Sequence, residues 1–375
     1  MDFQEPLTRV LDDVVAANAE TVDRTGAYPR DNLRALGDAG ILGLVSAADV
    51  GGGGEGLGAA ADVVEQLAQR CGSTAMVVMM HYSATALIEA NGPDDVRRAI
   101  AQGDHVTTLA FSEVGSRSHF WAPLGTAIED GDEVRLDARK SWVTSAGEAD
   151  SYVWSSRPLA GDGPMTLWVV PSSGAGLSVP EPFDGLGLRG NASSPVDADG
   201  VKVPRSAMLG NDGAGLDLAL AVVLPWFLVL NAAASVGTMR AVTAETNAHL
   251  TTTRLEHLGQ TLAQQPGPRA ALARMQIETD RTAALLDDTL RALAAGREDA
   301  MLRVLEIKAA AAETAVAVTD LAMQVCGGAA FRKELGIERR FRDSRAARVM
   351  APTTDALLDF VGRALTGLPL LGDVA

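Results

Sequence analysis

The sequence predicts an α+β protein in three parts: an N-terminal α-helical domain, a middle β-barrel or β-sandwich domain and a C-terminal four-helix bundle. The chain has 375 residues, which is too long for one small core and enough for two or three packed domains. Segments with strand composition are confined to residues 104–211, and helical periodicity dominates on both sides of that stretch. We therefore expect domains at residues 1–103, 104–211 and 212–375.

The first domain is predicted from apolar residues at helical spacing. That spacing indicates helices over 7–19, 31–39, 58–69 and 73–91. Pro29 is a suitable helix start, and Gly92-Pro93 ends the last of these helices. A glycine-rich loop at 50–54 interrupts the pattern.

The middle domain is predicted from short runs of β-branched and aromatic residues separated by turn signals. These runs lie at 107–111, 125–128, 134–138, 152–154 and 165–170. All five tryptophans fall between residues 121 and 226. The pattern indicates several short strands that share one core.

The C-terminal domain is predicted from four long alanine-rich segments with short connections, which is typical of an antiparallel bundle. We expect helices over 216–250, 268–295, 299–326 and 344–365. The longest apolar run, 218–230, contains Pro225 and is shorter than the roughly 20 residues of a membrane span. A buried helix is the better interpretation of that run.

Charge and composition exclude several classes of function. With 32 Lys and Arg against 48 Asp and Glu, the formal net charge is −16, which disfavours nucleic acid and an anionic membrane as partners. The two cysteines are far apart and the five histidines lack metal-ligand spacing, so we expect no disulfide scaffold and no metal. The N-terminus has no secretory signal pattern, so we expect a cytoplasmic protein with a small-molecule substrate.

Three segments carry residues suited to ligand binding. The segment 111–120 follows a strand and offers backbone N–H groups and hydroxyls to an anionic or heteroaromatic ligand. Trp142 and Thr144 are two residues apart in a predicted strand, so we expect them on one face, where they could flank a flat ring. Gly327 and Gly328 follow a helix and allow close backbone approach. A turn, a core tryptophan and a helix cap are the ordinary alternatives.

Together these motifs resemble the acyl-CoA dehydrogenase superfamily of flavoproteins, over nearly the whole chain and in the family's order. The matching segments are 50–54 for its early YGG loop, 111–119 for L-T-E-P-x-A-G-S-D, 140–145 for K-x-W-I-T-N, 183–191 for G-x-R-G, 324–328 for Q-x-x-G-G, and Arg342-Asp343 for R-D. That family has a helical domain, a β domain and a four-helix bundle, so the resemblance implies the same fold.

The resemblance implies an enzyme with FAD as its cofactor. It implies that the isoalloxazine ring contacts Phe111, Ser112, Trp142 and Thr144, and that Ser118 contacts the pyrophosphate. In the family the Q-x-x-G-G segment holds the adenosine end of an FAD bound mainly by a neighbouring subunit. This implies binding roles for Gln324, Gly327 and Gly328, and a homotetramer or homodimer. For the FAD phosphates, the densest group of basic residues is Arg339, Arg340, Arg342, Arg345 and Arg348.

The departures from the family concern catalysis. Acyl-CoA dehydrogenases remove a proton from the thioester α-carbon with a carboxylate base. The family's usual base position, after the R-D motif, is Ala351 here, and the other known position, on the first bundle helix, is Ala219. A methyl group cannot accept a proton. Asp355 lies four residues after Ala351, so we expect it one helical turn along the same face, as a candidate base.

Three functions remain open from the sequence. The first is an FAD-dependent oxidoreductase acting on an acyl thioester or related small molecule with a non-standard base, although Asp355 could equally be an ordinary helix-start carboxylate. The second is a flavin-dependent monooxygenase of the same fold that uses reduced flavin and O2, in which no α-proton base is needed and His119 is a candidate acid. The third is a non-catalytic scaffold, against which the retained Trp142, Thr144 and Gln324 argue.

Overall fold

The N-terminal part is helical in the computed structural model, which describes residues 3–116 and 119–371. Its helices are α1 (Gln4–Val10), α2 (Ala16–Thr25), α3 (Arg30–Asp38), α4 (Leu57–Arg70), α5 (Gly72–Asn91) and α6 (Asp94–Ala101). A π-helical segment, Leu11–Val15, joins α1 to α2. Helix α5 is buried around most of its circumference, which explains why its sequence is apolar on every side. Helix α6 was not predicted individually, and it begins directly after Pro93.

The middle part consists of two four-stranded sheets. Its strands are β1 (Thr107–Ala110), β2 (Thr126–Asp130), β3 (Glu133–Val143), β4 (Ser151–Ser156), β5 (Thr166–Pro171), β6 (Leu177–Ser178), β7 (Ser194–Pro204) and β8 (Met208–Leu209). The strand orders are β1-β4-β5-β8 and β2-β3-β7-β6, and only the β1–β4 pairing is parallel among the described strands. Both sheets contribute to one core, in which Trp154 and Trp168 are fully buried.

Strand β7 is the longest element that the sequence did not reveal. Its inward residues follow period two as Val196 and Ala198, and then as Val201 and Val203. The two pairs differ in phase by one residue, because the register with β3 shifts near Gly200, which has φ +64°. Such a β-bulge hides the alternation from a simple pattern search.

The C-terminal part is a helical bundle. Its elements are α7 (Gly215–Leu218), α8 (Leu224–Thr252), α9 (Pro266–Ala294), α10 (Ala300–Cys326), α11 (Ile337–Ser344), α12 (Ala346–Val349) and α13 (Thr354–Thr366), with a short pair β9 (Arg254–Leu255) and β10 (Gln260–Thr261). The predicted single helix over 344–365 is wrong. Pro352 lacks the N–H that a helix interior needs, and Thr353 starts α13 as its N-cap, accepting a hydrogen bond from Ala356 N at 3.4 Å.

A π-helical segment, Ala219–Val223, lies between α7 and α8. Pro225 follows it closely, so the wider turn accommodates a residue that cannot donate to the preceding turn. The stretch Gly215–Thr252 has the length and hydropathy of a membrane span, but 72% of its most apolar window is buried inside the protein. That burial agrees with the predicted core helix.

The chain divides into two compact units. The first comprises Met1–Val63, Ser73–Gly185 and Arg189–Phe227, and therefore contains both four-stranded β-sheets. The second comprises Val64–Gly72, Leu186–Leu188 and Leu228–Ala375, and contains the later bundle helices.

Candidate active site

The end of strand β3 departs from regular strand geometry. The register with β7 shifts between Lys140 and Val143, and Trp142 has φ +56° with its side chain 72% exposed. Thr144 is buried instead, with its Oγ1 3.1 Å from Ser193 Oγ. The prediction that Trp142 and Thr144 share one face of a regular strand is therefore wrong, because the irregularity at the strand end breaks the alternation.

Positive backbone φ angles occur at this strand end and in the segment hydrogen-bonded to it. Of the described non-glycine residues, four have positive φ: Trp142, Ser145, Leu188 and Ala192. Ser145 N donates to Asn191 O at 2.9 Å, and Ala146 N donates to Ala192 O at 3.0 Å, so two strained segments are hydrogen-bonded to each other. Each such conformation costs about 1–3 kcal/mol and is typical of functional sites.

The segment after β1 lies beside this strand end. Ser112 O accepts a hydrogen bond from Ser141 N at 2.9 Å, and Val114 N donates to Arg139 O at 3.0 Å. Phe111 is buried and Ser112 is half-buried. The structure thus brings two of the segments predicted to bind flavin onto neighbouring backbone. Ser118, the residue predicted to contact the pyrophosphate, lies outside the described residues.

A buried ion pair joins these two segments, and no sequence signal indicated it. Lys140 Nζ lies 2.6 Å from Glu113 Oε1, and both side chains are almost completely buried. Burial lowers the pKa of Lys140 to about 8, while the Glu113 carboxylate opposes that shift. The ammonium is therefore the main form of Lys140 at neutral pH.

His119 lies just beyond the undescribed pair of residues in the same loop. Its side chain is exposed, with Nδ1 3.1 Å from Ser116 O, and its ring stands edge-on to Trp121 with centroids 4.9 Å apart. The ring is therefore accessible to a ligand that approaches this loop. His119 remains a candidate acid.

The Q-x-x-G-G segment occupies the end of α10 in the second unit. Gly327 and Gly328 are exposed and Gln324 is at the surface. Apart from each glycine's chain neighbours, no atom of the described residues lies within 4 Å of where a Cβ would stand on either glycine. Gly327 has φ +54° and ψ −135°, a conformation essentially restricted to glycine. Phe331, nearby in sequence, is 83% exposed. Backbone and side-chain groups are accessible here for a ligand or a second subunit.

The two predicted base positions differ in environment. Ala219 is buried at the start of the π-helical segment, whereas Ala351 is half-buried between α12 and α13. Asp355 is exposed in the first turn of α13, beyond the non-helical residues 350–353. The prediction that Asp355 and Ala351 share a helical face is wrong, because no helix connects them.

Lys308 is a residue that sequence reasoning missed. Its side chain on α10 is fully buried, and Nζ donates to Met350 O at 3.0 Å and to Pro352 O at 2.8 Å. Burial lowers the pKa of Lys308 to about 7. The lysine thereby holds the backbone on both sides of Ala351.

Most of the arginine cluster is engaged by carboxylates. Arg340, for example, is buried and also donates to the carbonyls of Ala68 and Gln69. Four of the five arginines pair with carboxylates: Arg340 with Glu245, Arg342 with Glu338, Arg345 with Asp320 and Arg348 with Glu313. The structure therefore does not support this cluster as the site for the FAD phosphates.

Three family models match the chain in order. The N-terminal domain of acyl-CoA dehydrogenase matches residues 1–103, the middle domain matches 108–201 and the C-terminal domain matches 213–366. The probable acyl-CoA dehydrogenase YngJ of Bacillus subtilis is 26% identical over 359 residues, covering 91% of each chain.

Solved structures agree with this assignment. Butyryl-CoA dehydrogenase from Megasphaera elsdenii superposes with a TM-score of 0.89 at 21% identity, covering 98% of each chain, which shows the fold. FkbI, described as serving biosynthesis of the methoxymalonyl extender unit of a polyketide, has a TM-score of 0.85 at 25% identity, covering 96% of this chain and 99% of its own. The three predicted parts of the fold are confirmed, and the chain belongs to the acyl-CoA dehydrogenase superfamily of flavin-dependent oxidoreductases, whose cofactor is FAD.

Proposed function

We propose that the protein oxidises or reduces an acyl thioester with FAD and without a carboxylate at either usual base position. The observation that carries this proposal is the contrast between two sets of residues. The predicted flavin residues lie on hydrogen-bonded, strained backbone with an exposed indole. The predicted base positions, Ala351 and Ala219, carry only methyl groups.

The residues at the end of β3 fit a flat ring system. Trp142 is a large apolar side chain left 72% exposed at a strained position, and it therefore offers a face for stacking. Phe111 and Ser112 would complete the isoalloxazine site beside Trp142. Thr144 would contact the ring from its own buried position rather than from the face that Trp142 presents, and Ser118 would contact the pyrophosphate. When bound, FAD supplies a two-electron acceptor for a hydride from the substrate.

With alanine at positions 219 and 351, the removal of the substrate's α-proton must involve some other group. Asp355 is the nearest carboxylate in sequence to Ala351, but it is exposed at the start of α13. Lys308 holds residues 350 and 352 by their carbonyl groups, so the backbone around position 351 is fixed. We infer that a proton lost by the substrate passes to a group other than residue 351, and Asp355 is the candidate to test.

Anaerobic titration tests this function. The purified yellow protein is mixed with a panel of acyl-CoA thioesters, and flavin absorbance is followed without oxygen. The panel includes short saturated acyl chains and chains with an oxygen substituent, because FkbI is described with a methoxymalonyl unit. Bleaching by at least one thioester is expected, and an unbleached flavin with every thioester contradicts the proposal.

A flavin-dependent monooxygenase is the second candidate, favoured by the same two alanines. A reaction that uses reduced flavin and O2 requires no α-proton base, and exposed His119 is available as a proton donor. Oxygen uptake coupled to a hydroxylated product, from a protein given reduced flavin, would select this candidate over thioester oxidation.

We further propose a homotetramer or homodimer in the cytoplasm. Gln324, Gly327, Gly328 and Phe331 lie at the accessible end of α10, where a second subunit could bring its FAD. Light scattering coupled to size-exclusion chromatography tests this assembly, and a monomer that keeps full FAD occupancy would contradict it.

A further inference from the structure

The Glu113–Lys140 ion pair uses every N–H donor of the lysine side chain. Besides Glu113 Oε1 at 2.6 Å, Lys140 Nζ donates to Ser155 O at 2.7 Å and to Ser155 Oγ at 2.8 Å. The ammonium has three N–H donors, and all three have acceptors. Nζ also lies 4.9 Å from the centroid of the Trp154 ring. The lysine is thus held rigidly between β3 and β4.

The carboxylate reaches a third segment. Glu113 Oε2 accepts from Leu124 N at 2.5 Å and from Gly125 N at 2.9 Å. A Cβ added at Gly125 would stand 3.0 Å from Glu113 Oε1, so the glycine lets the backbone approach the carboxylate closely. One buried ion pair therefore connects the segment after β1, the residues before β2, and strands β3 and β4.

A contribution to the free energy of folding does not by itself explain why Glu113 and Lys140 are both buried. Taking two charges out of water is costly, and well-packed apolar residues of similar volume are often equally stable. What the pair does supply is a fixed register. Glu113 and Lys140 form an isolated β-bridge, flanked by the Ser141–Ser112 and Val114–Arg139 hydrogen bonds.

We propose that Glu113 and Lys140 are positioning residues for the flavin. They set the register of 112–114 against 139–141, and hence the placement of Phe111 and Ser112 relative to Trp142. This inference rests on the proposed assignment of those residues to the flavin site. Neither charged group is itself exposed to a ligand, so both act through their neighbours.

The test separates positioning from stability with the double variant Glu113→Gln/Lys140→Met. The introduced amide oxygen can still accept from the Leu124 and Gly125 N–H groups, and no charge is left buried. FAD is removed, and its Kd for the apoprotein is measured by quenching of flavin fluorescence, alongside thermal unfolding. We expect the variant to fold with somewhat lower stability, because the ammonium that donates to Ser155 is removed, and to bind FAD at least about tenfold more weakly. A folded double variant with the wild-type Kd would overturn the proposal.

The variant Glu113→Asp provides a second measurement that keeps the charges. It shortens the reach to Lys140 by one methylene, so the 112–114 segment must shift or the contact must lengthen. We expect FAD to bind about threefold more weakly. If the double variant does not fold, this variant decides the question, and an unchanged Kd would then count against the proposal.

The exposed pair Lys202–Asp130 is the matched control. It joins the same kinds of group at 2.9 Å in the same β domain, with the side chains 52% and 45% exposed. Lys202→Met/Asp130→Asn should leave the FAD Kd unchanged. If wild-type apoprotein does not bind FAD, the proposed function itself fails. If wild type and control bind equally and the Glu113 variants also do, only the positioning role fails.

Discussion

Two lysines, Lys140 in the β domain and Lys308 in the bundle, are both fully buried, but their partners differ. Lys140 meets a carboxylate, a carbonyl and a hydroxyl, whereas Lys308 donates to the two carbonyl groups of Met350 and Pro352. The first lysine belongs to a charge-balanced network beside the predicted flavin residues. The second supports a loop whose central side chain, Ala351, is a methyl group.

The difference teaches that a buried lysine can balance a carboxylate or support a loop, and the proposed function assigns the two sites different roles. Around Lys140, acid, base and backbone groups form a satisfied network, and nearby strain persists at Trp142 and Ser145. Around Lys308 the loop is still held in place, but position 351 carries no acid. Under the proposed function, this loop would be held in place without the carboxylate that the family resemblance implies at position 351.

The largest effect is expected from Lys140→Met. The change leaves the Glu113 carboxylate buried without its cation, which should cost about 3–5 kcal/mol of unfolding free energy. Urea unfolding measures this loss. Lys308→Met is the matched control, because it leaves no charge behind and should cost less. Equal losses in the two variants would erase the distinction between the two lysines.

Comparing wild type with Lys308→Met should isolate the contribution of Lys308 to the pH dependence of stability. The folded-state pKa of Lys308 is about 7, and the ordinary value is 10.5. Between these values the unfolded chain holds a proton that the folded chain has released, so stability rises with pH across this window and is lost as pH falls. From pH 7.5 to 9, wild type should gain about 2 kcal/mol relative to Lys308→Met. Urea unfolding of both proteins at both pH values checks this. An equal change of unfolding free energy with pH in wild type and in Lys308→Met would contradict it.

On the flavin side, Trp142→Ala should weaken FAD binding about tenfold, or about 1.4 kcal/mol. Thermal stability should stay near wild type, because the indole is 72% exposed and fills no core. Gln324→Ala should also lower FAD occupancy. Flavin content per subunit after purification is the measurement, and unchanged content would remove these residues from the proposed site.

The smallest effect is expected from Ala351→Glu. Position 351 is half-buried in a non-helical loop that Lys308 holds by its backbone, so the new side chain should change the unfolding free energy by less than about 1 kcal/mol. Thermal and urea unfolding check this expectation. A large destabilisation would show that the loop has no space for a carboxylate, and Ala351→Gln, of the same size without the charge, would then show whether size or charge is responsible.

Much of the architecture could be predicted from local patterns. Apolar spacing located the helices α8, α9 and α10, and β-branched runs located β1, β4 and β5, because burial imposes those periods. The misses have physical causes. A bulge near Gly200 concealed β7, and Pro352 broke a helix that alanine-rich composition had favoured.

The candidate site was predictable in part. Residues 111–112 and 142–144 carry motif-like sequences, and the structure brings them onto neighbouring backbone. Glu113 and Lys140 lie within those same motifs, but an ion pair between residues 27 positions apart leaves no local signal. Asp355 shows the opposite error, in which a local pattern was misleading. Its four-residue spacing from Ala351 means a shared face only where a helix is present.

The sequence by itself determined the order of helical, β and helical parts, the family motifs and the alanines at positions 219 and 351, because these follow from residue identity and short-range periodicity. The tertiary structure decided which charges are balanced. It paired four arginines of the basic cluster with carboxylates, buried Lys140 against Glu113, and set Lys308 under the 350–352 backbone. Charge pairing depends on distances of a few ångströms between residues remote in sequence, and only the folded chain defines those distances.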